Sequence, residues 1–410
     1  MLQVLVIGGG IGGLAAAVGL RRAGHRVTVL ERSTSIGEVG AGVGMASNAT
    51  SALEFLGVRS QLEPAANAVE AWLRRRWKDG SVIGSVPLGA VASERYSSPF
   101  WTVHRGDLQA VLHQAATALN GAGEPVRVRL QSKVATLDTA ETCVELEGGE
   151  KLAADLIVGA DGIRSIARQE IAGGDEPVYS GNAAYRVQVP REALLQTESL
   201  RSFAEIPTMQ TWMGPGAHVV LMPVKGGSVL NMTVCVTEPQ SSDPSWSGSS
   251  SAEDLLANLQ GWDARMELLV RSGGAVNRWD LFDREPLSRW VAGRTCLLGD
   301  AAHPMLPYLG QGAAQALEDA VALSQGLIAA DPGSVAEQLQ RYEELRLPRA
   351  SEVQNGSRAN RELFHYQDGP AQVIRDADLA ARSPILAGFD WLWGGGPSQL
   401  KSLTETRGAI

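Results

Sequence analysis

The chain reads as an α/β fold in which a parallel sheet, assembled from distant stretches, carries an inserted, mostly antiparallel sheet and ends in helices. Three observations predict it. Short, almost wholly apolar runs at residues 2–7, 156–158 and 295–298 each stop at glycine or at an adjoining pair of glycine and aspartate, as strands buried on both faces do. Between the second and third runs the texture changes. Within residues 178–236 neighbours alternate, with Ala183, Tyr185, Val187 and Val189 on one side and Ala184, Arg186 and Gln188 on the other. Finally, 410 residues with 44% hydrophobic and 20% charged content supply core for two or three domains.

Composition removes several functions. With 36 Lys and Arg against 45 Asp and Glu, the net charge of −9 disfavours nucleic acid, and the basic run at residues 74–78 reads as a solvated face. Cys143, Cys235 and Cys296 are scattered, which suits neither a disulfide framework nor a metal site. The first residues lack a basic stretch and run straight into glycine, so they read as a strand and not a signal peptide, and no apolar run is long enough to cross a bilayer. A cytoplasmic protein, monomeric or homodimeric, is expected.

The elements follow in order. After the first strand comes Gly8-Gly9-Gly10-Ile11-Gly12-Gly13, then a helix over 12–23 closed by Gly24, then a strand over 26–31. Gly8 permits the tight turn, Gly10 lets the backbone approach a pyrophosphate, and Gly13 allows the helix to pack closely on the sheet. The helix N-terminus favours the anion. Glu31, 18 residues after Gly13, ends the second strand where a ribose hydroxyl would donate to it. These residues point to a Rossmann-like dinucleotide site, and both NAD and FAD sites use the motif. A helix over 105–119, a Ser/Pro-rich loop over 237–251 and an Ala-rich helix over 312–330, continuing to about 345, come next; the tail from about 355 is mixed and broken by Gly394-Gly395-Gly396-Pro397.

Two later segments add to the first motif: Asp161-Gly162-Ile163-Arg164-Ser165 and Gly299-Asp300-Ala301-Ala302-His303-Pro304. With Pro307 and Gly310-Gln311-Gly312, the chain resembles the single-component (class A) flavin-dependent aromatic hydroxylases, the family of p-hydroxybenzoate and salicylate hydroxylases, over residues 1–350. The resemblance implies a discontinuous FAD domain of the GR2 type over 1–70, 100–175 and 280–350, a substrate-binding β-sheet domain over 71–99 and 176–279, and a C-terminal helical segment over 351–410. It implies non-covalent FAD, NADH or NADPH as co-substrate, O2, and hydroxylation through a flavin C4a-hydroperoxide. Epoxidation or dearomatisation by the same chemistry, and a flavin reductase of the geranylgeranyl reductase type, are the alternatives. Carried over, Gly8, Gly10, Ile11, Gly12, Gly13, Glu31 and Arg32 would hold the ADP half of FAD. Asp161 would sit near the pyrophosphate, Asp300 near the ribityl or ribose, and Arg105 against the cofactor. Gly40, Ala41, Gly42 and Val43 would form a mobile loop beside the flavin ring. Pro307, Gly310, Gln311, Gly312 and Ala313 would start a helix aimed at the ring, favouring its reduced anion by about 1 kcal/mol, or about 2 when buried. Asp300 read alone is equally a cap. His303 reads as a packed, hydrogen-bonded residue.

On the substrate side, His218, Val220 and Met222 share one face of a strand. His218 falls where some relatives place a histidine base, whereas Met222 departs from a frequent family tyrosine. Arg186 resembles an arginine that holds a phenolate, and a structural ion pair is its other reading. Trp212, Trp101 and Tyr308 would either line an aromatic pocket or pack the core, and Tyr185 reads as core.

Overall fold

The first apolar run is shielded on both faces because its strand, Gln3–Ile7, lies inside a sheet; Leu2, Val4, Leu5, Val6 and Ile7 are all buried. The structure is a computed structural model and describes residues 1–37, 41–241, 247–383 and 385–395. Across that sheet the order is Val291–Ala292, Thr295–Leu297, Leu156–Gly159, Gln3–Ile7, Arg26–Leu30 and Arg127–Arg129. Every pairing is parallel except the edge hairpin of its first two strands. The three apolar runs thus become neighbouring strands, and their glycine- and acid-tipped ends come to one edge.

The helix Ile11–Arg22 returns the chain between the first two sequential strands. It crosses close against the helix Gly312–Gly326: a Cβ at Gly12 would lie 3.4 Å from Ala316, and one at Gly19 2.8 Å from Ser324. Gly13 has no room either, since a Cβ there would meet the Gly8 carbonyl oxygen at 2.0 Å. Arg21, buried near the end of the first helix, donates to the carbonyls of Ala115, Ala116 and Ala118 and so satisfies the C-terminus of the helix Arg105–Thr117.

The alternating region becomes an eight-stranded sheet ordered Ser247–Ser250, Val276–Asp283, Val178–Pro190, Val229–Thr237, Ala217–Val224, Thr208–Gly214, Ala71–Arg76 and Val82–Pro87. It is antiparallel throughout except where Thr208–Gly214 runs parallel to Ala71–Arg76. Ala183, Tyr185, Val187 and Val189 pack into one hydrophobic core with the helix Ala264–Ser272. The opposite face, with Ala184 and Arg186, is turned to a cavity. Part of the Ser/Pro-rich loop, residues 242–246, lies outside the described residues.

The C-terminal part differs from expectation. Instead of ending near residue 345, the helix runs from Val335 to Phe364 with Pro348 inside it, and crosses residue 350 unbroken. Proline removes one hydrogen bond at a cost of about 3 kcal/mol. Burial of Leu339, Tyr342, Arg346, Ala350, Val353, Ser357 and Phe364 along one side of the helix outweighs it. Helix Pro370–Ala381 and the short turns Leu386–Phe389 and Asp390–Trp393 follow; Gly396 and Pro397 lie outside the described residues. Among the described residues no helix is long and apolar enough to cross a membrane, and no cluster of His, Cys, Asp and Glu is suited to a metal.

Candidate active site

The strand ends of the parallel sheet and the cavity face of the larger sheet enclose one continuous cavity of about 730 Å³. Of the residues singled out in the sequence, Gly8, Gly10, Ile11, Gly12, Glu31, Arg32, Ala41, Gly42, Val43, Arg105, Asp161 and Asp300 line it. So do Pro307, Tyr308, Gly310, Gln311, Gly312 and Ala313, and Arg186, His218, Val220 and Met222. Gly13, Trp212, Trp101 and Gly40 do not appear there: Gly13 packs helix on sheet, the two tryptophans are core, and Gly40 lies outside the described residues. Trp212 faces away because it stands in the opposite phase to Thr211 on its strand; it packs near Phe203 and donates from Nε1 to Gln210.

At one end, Gly8 adopts φ +104°, and a Cβ there would strike the Ala160 carbonyl oxygen at 2.4 Å, so only glycine makes this turn. Gly10 faces open space, and the helix it precedes has no side-chain cap. Its first-turn N–H groups are therefore offered to the cavity. The Glu31 carboxylate accepts from the Gly9 N–H at 2.7 Å and the Ser33 N–H at 2.8 Å. Burial alone would raise its pKa, but those donors outweigh it and hold the group below its ordinary value. Gln109 braces the glycine loop by donating to the Gly9 carbonyl at 3.0 Å. Asp161 accepts through Oδ2 from the first N–H groups of the helix Ile166–Ala172, leaving Oδ1 buried with no hydrogen-bond partner among the described residues, and burial pushes its pKa up.

Beneath the cavity lies a buried ionic network. Arg346 donates to Glu318 at 2.6 Å and Asp319 at 2.8 Å, all three side chains fully buried. Asp319 also accepts from the Gly299 N–H at 3.0 Å and meets His303 Nε2 at 2.6 Å, which places His303 as packed and hydrogen-bonded. Although burial opposes ionisation, the His303 and Arg346 partners bring Asp319 down to about 2. Asn48 Nδ2 donates to Glu318 at 2.6 Å and to the side-chain Oε1 of Gln311 at 2.9 Å, fixing the residue that precedes the helix Gly312–Gly326. Gly310, at φ +64°, makes the preceding turn.

At the other end, cross-strand register assembles the sheet face: Thr211, Val220, Thr233 and Arg186 form one row, and His218, Cys235 and Ala184 another. The Arg186 guanidinium stacks 4.3 Å from the Trp279 ring. His218 Nδ1 shares a 2.8 Å hydrogen bond with Nε2 of His365, whose Nδ1 lies 3.3 Å from the exposed Thr237 hydroxyl. Burial first, then the neighbouring His365, drives the His218 pKa well below 6.5; burial and Arg361 bring His365 to about 4. Both imidazoles are neutral at pH 7. Tyr308, with its ring centroid 5.4 Å from that of His218, buries a hydroxyl that has no hydrogen-bond partner among the described residues. Gly42 and Val43 form a strand, Gly42–Met45, paired with Trp101–His104, where a mobile loop is expected. The ladder and close packing account for it: a Cβ at Gly42 would lie 2.8 Å from Met222 Sδ.

Residues 1–357 match the family of FAD binding domains. A 3-amino-4-hydroxybenzoate 2-monooxygenase of Streptomyces platensis is 37% identical over 394 residues, covering 96% of both chains. The chain belongs to the FAD-dependent aromatic hydroxylase family. A 3-hydroxybenzoate 6-hydroxylase of Aquipseudomonas alcaligenes, 36% identical over 96% of this chain and 97% of its own, is a further member. A salicylate hydroxylase solved as a substrate complex superposes with TM-score 0.81 at 28% identity, covering 98% of this chain and 97% of that one.

In this family member the glycine cradle and the two uncapped helix starts are consistent with an FAD-sized anion-bearing ligand. Sequence reasoning missed Gln109, His365, Trp72, Phe100 and Trp393. Gln109 was within reach, because it falls one helical turn after Arg105 and so on the same face. His365, Phe100 and Trp393 carry no local signal.

Proposed function

We propose that this chain is a monooxygenase that consumes NAD(P)H and O2 and hydroxylates a phenol-like aromatic ring of the hydroxybenzoate class. The observation that carries the reading is the juxtaposition, in one cavity, of the neutral buried His218, the unpaired Tyr308 hydroxyl and the helix start at residues 310–313. When bound, FAD carries electrons from NAD(P)H to O2 and so supplies an electrophilic oxygen.

The remaining tasks fall to side chains. The N–H groups around Gly10, Ile11 and Gly12 bind the pyrophosphate, Glu31 and Arg32 take the adenosine end, and Arg105, Asp161 and Asp300 hold the middle of the cofactor. The N–H groups at Gly312 and Ala313, with Pro307 stiffening the turn, would favour negative charge on a flavin ring held there, and Ala41, Gly42 and Val43 would wall its side. The substrate ring lies over Val220 and Met222. In the tautomer in which Nδ1–H of His218 donates to Nε2 of His365, Nε2 of His218 is the free base that accepts the phenolic proton, and the charge relaxes through His365 towards Thr237 at the surface. Arg186 pairs with the phenolate or a ring carboxylate, and Tyr308 hydrogen-bonds a substrate oxygen. Trp72, Phe100, Met209 and Trp393 exclude water.

Turnover of the holoenzyme with isotope-labelled O2 and a panel of hydroxybenzoates tests the reading. One labelled oxygen atom in the product is expected. A product with a saturated double bond and no label would replace the proposal with a reductase. Asp300→Ala is expected to raise the fraction of FAD lost on gel filtration several-fold with the melting temperature of the FAD-free protein unchanged. Unaltered flavin retention would remove Asp300 from the cofactor site.

A further inference from the structure

The end of the described chain folds back into the cavity. Trp393 is 4% exposed and lines the cavity, although the turn Asp390–Trp393 belongs to neither large sheet. Its indole is held on three sides. It stacks on Phe389 with centroids 4.2 Å apart and planes at 10°, meets Phe100 at 5.5 Å, and stands edge-on to Tyr96 at 6.0 Å. Phe389 in turn packs 6.0 Å from Trp72, a second lining residue that also carries the buried guanidinium of Arg74 at 4.4 Å and donates from Nε1 to the Thr211 hydroxyl at 2.9 Å.

Polar contacts fix the backbone that carries this ring. Arg349 donates to the carbonyls of Trp391 at 2.7 Å and Leu392 at 2.8 Å, and its other donors reach Glu318 in the buried network beneath the helix Gly312–Gly326. Asp390 accepts from Arg95 Nε at 2.7 Å and from the Tyr96 hydroxyl at 2.8 Å. The Arg95 pair is nearly half exposed, so it contributes little alone. Arg349, with one end in the ionic network and the other on the Trp391 and Leu392 carbonyls, sets the distance between the aromatic wall and the cofactor side of the cavity. Residues 391–393 are therefore positioned by the part of the fold that positions the flavin.

We propose that Trp393 is a specificity-determining residue: the indole ends the substrate cavity and restricts it to single-ring phenolic acids. The inference rests on the functional reading above and adds the element that sets substrate size. A rigid aromatic wall loses little side-chain entropy when a ligand packs on it, so it favours a ring that fits and excludes a fused second ring by overlap. Removing it opens apolar space next to Phe100 and Trp72, which a second ring would fill.

The test uses FAD-loaded protein, with perturbation of the flavin absorbance spectrum as the measure of binding. Wild type, Trp393→Ala and Trp393→Leu are titrated with 3-hydroxybenzoate and with 3-hydroxy-2-naphthoate. The expected result is that the ratio of the two dissociation constants moves towards the naphthoate by about tenfold or more in both variants, the scale on which apolar pockets discriminate. Trp393→Leu keeps an apolar side chain and serves if the alanine variant does not fold. A ratio within twofold of wild type in a variant that retains FAD would overturn the assignment of Trp393. A wild-type protein whose flavin spectrum responds to neither compound overturns the substrate class on which it rests, a failure visible before any variant is made.

Discussion

His218→Asn is expected to lower the rate of oxygen insertion at pH 7 by about 10²–10⁴-fold, the usual contribution of a positioned general base, while FAD stays bound. The argument is geometric first. His218 is buried in the cavity face, and its Nδ1 is engaged by His365 at 2.8 Å, which orients Nε2. Because burial holds both pKa values down, His365 at about 4, the pair is in its proton-accepting form throughout the neutral range. The sign follows. A histidine with a depressed pKa loses its base form only as pH falls through that lowered value, so the acid limb of kcat/KM in wild type lies below pH 6.5. In the variant the substrate must ionise unaided, so its rate should rise with pH towards the pKa of a phenol, about 10. Rates measured from pH 4 to 10 with a coupled product assay check both limbs. A variant rate within twofold of wild type at pH 7 removes His218 from the chemistry.

Arg346→Met should destabilise the protein by about 3–5 kcal/mol and release FAD. Arg346, Glu318 and Asp319 are fully buried, so removing the cation leaves two carboxylates with part of their compensation gone. Arg349 still reaches Glu318, which keeps the loss from being larger. Asp319 holds the Gly299 N–H and Glu318 is tied through Asn48 to Gln311, so the loosened residues are ones that line the cavity and are proposed to meet the cofactor. The exposed pair Arg341–Glu337, with side chains 63% and 65% accessible, is the control: Arg341→Ala should cost no more than about 0.5 kcal/mol. Chemical denaturation and flavin release on dilution measure the two effects. Equal stabilities of the two variants would mean that the network does not hold the site.

The glycine-turn geometry of the candidate nucleotide end is legible from the chain because its requirements are local and fall on the backbone. Gly8 must turn with positive φ, Gly13 must let the helix approach the Gly8 carbonyl, and Glu31 must end the adjacent strand; all lie within one βαβ unit. Helix length at the other end is decided by contacts and not by local signals. Pro348 is a strong local signal, and the contacts that override it come from elements distant in sequence.

The substrate half depends on meetings that no local pattern encodes. His218 and His365 are separated by 147 positions and meet because the long helix ends beside the larger sheet. Trp212 and Thr211 are neighbours in sequence, yet register and the side on which helices cover the sheet decide that Thr211 sees the cavity and Trp212 the core. Trp393 reaches Phe100 because Arg349 ties the last turn to the network under the helix Gly312–Gly326 while Arg95 and Tyr96 hold Asp390. Residues 1–31 prescribe an anion-binding turn through backbone sterics and dipoles, which act over a few residues. Which side chains face a substrate is set by packing between elements, an interaction that exists only once the whole chain has folded.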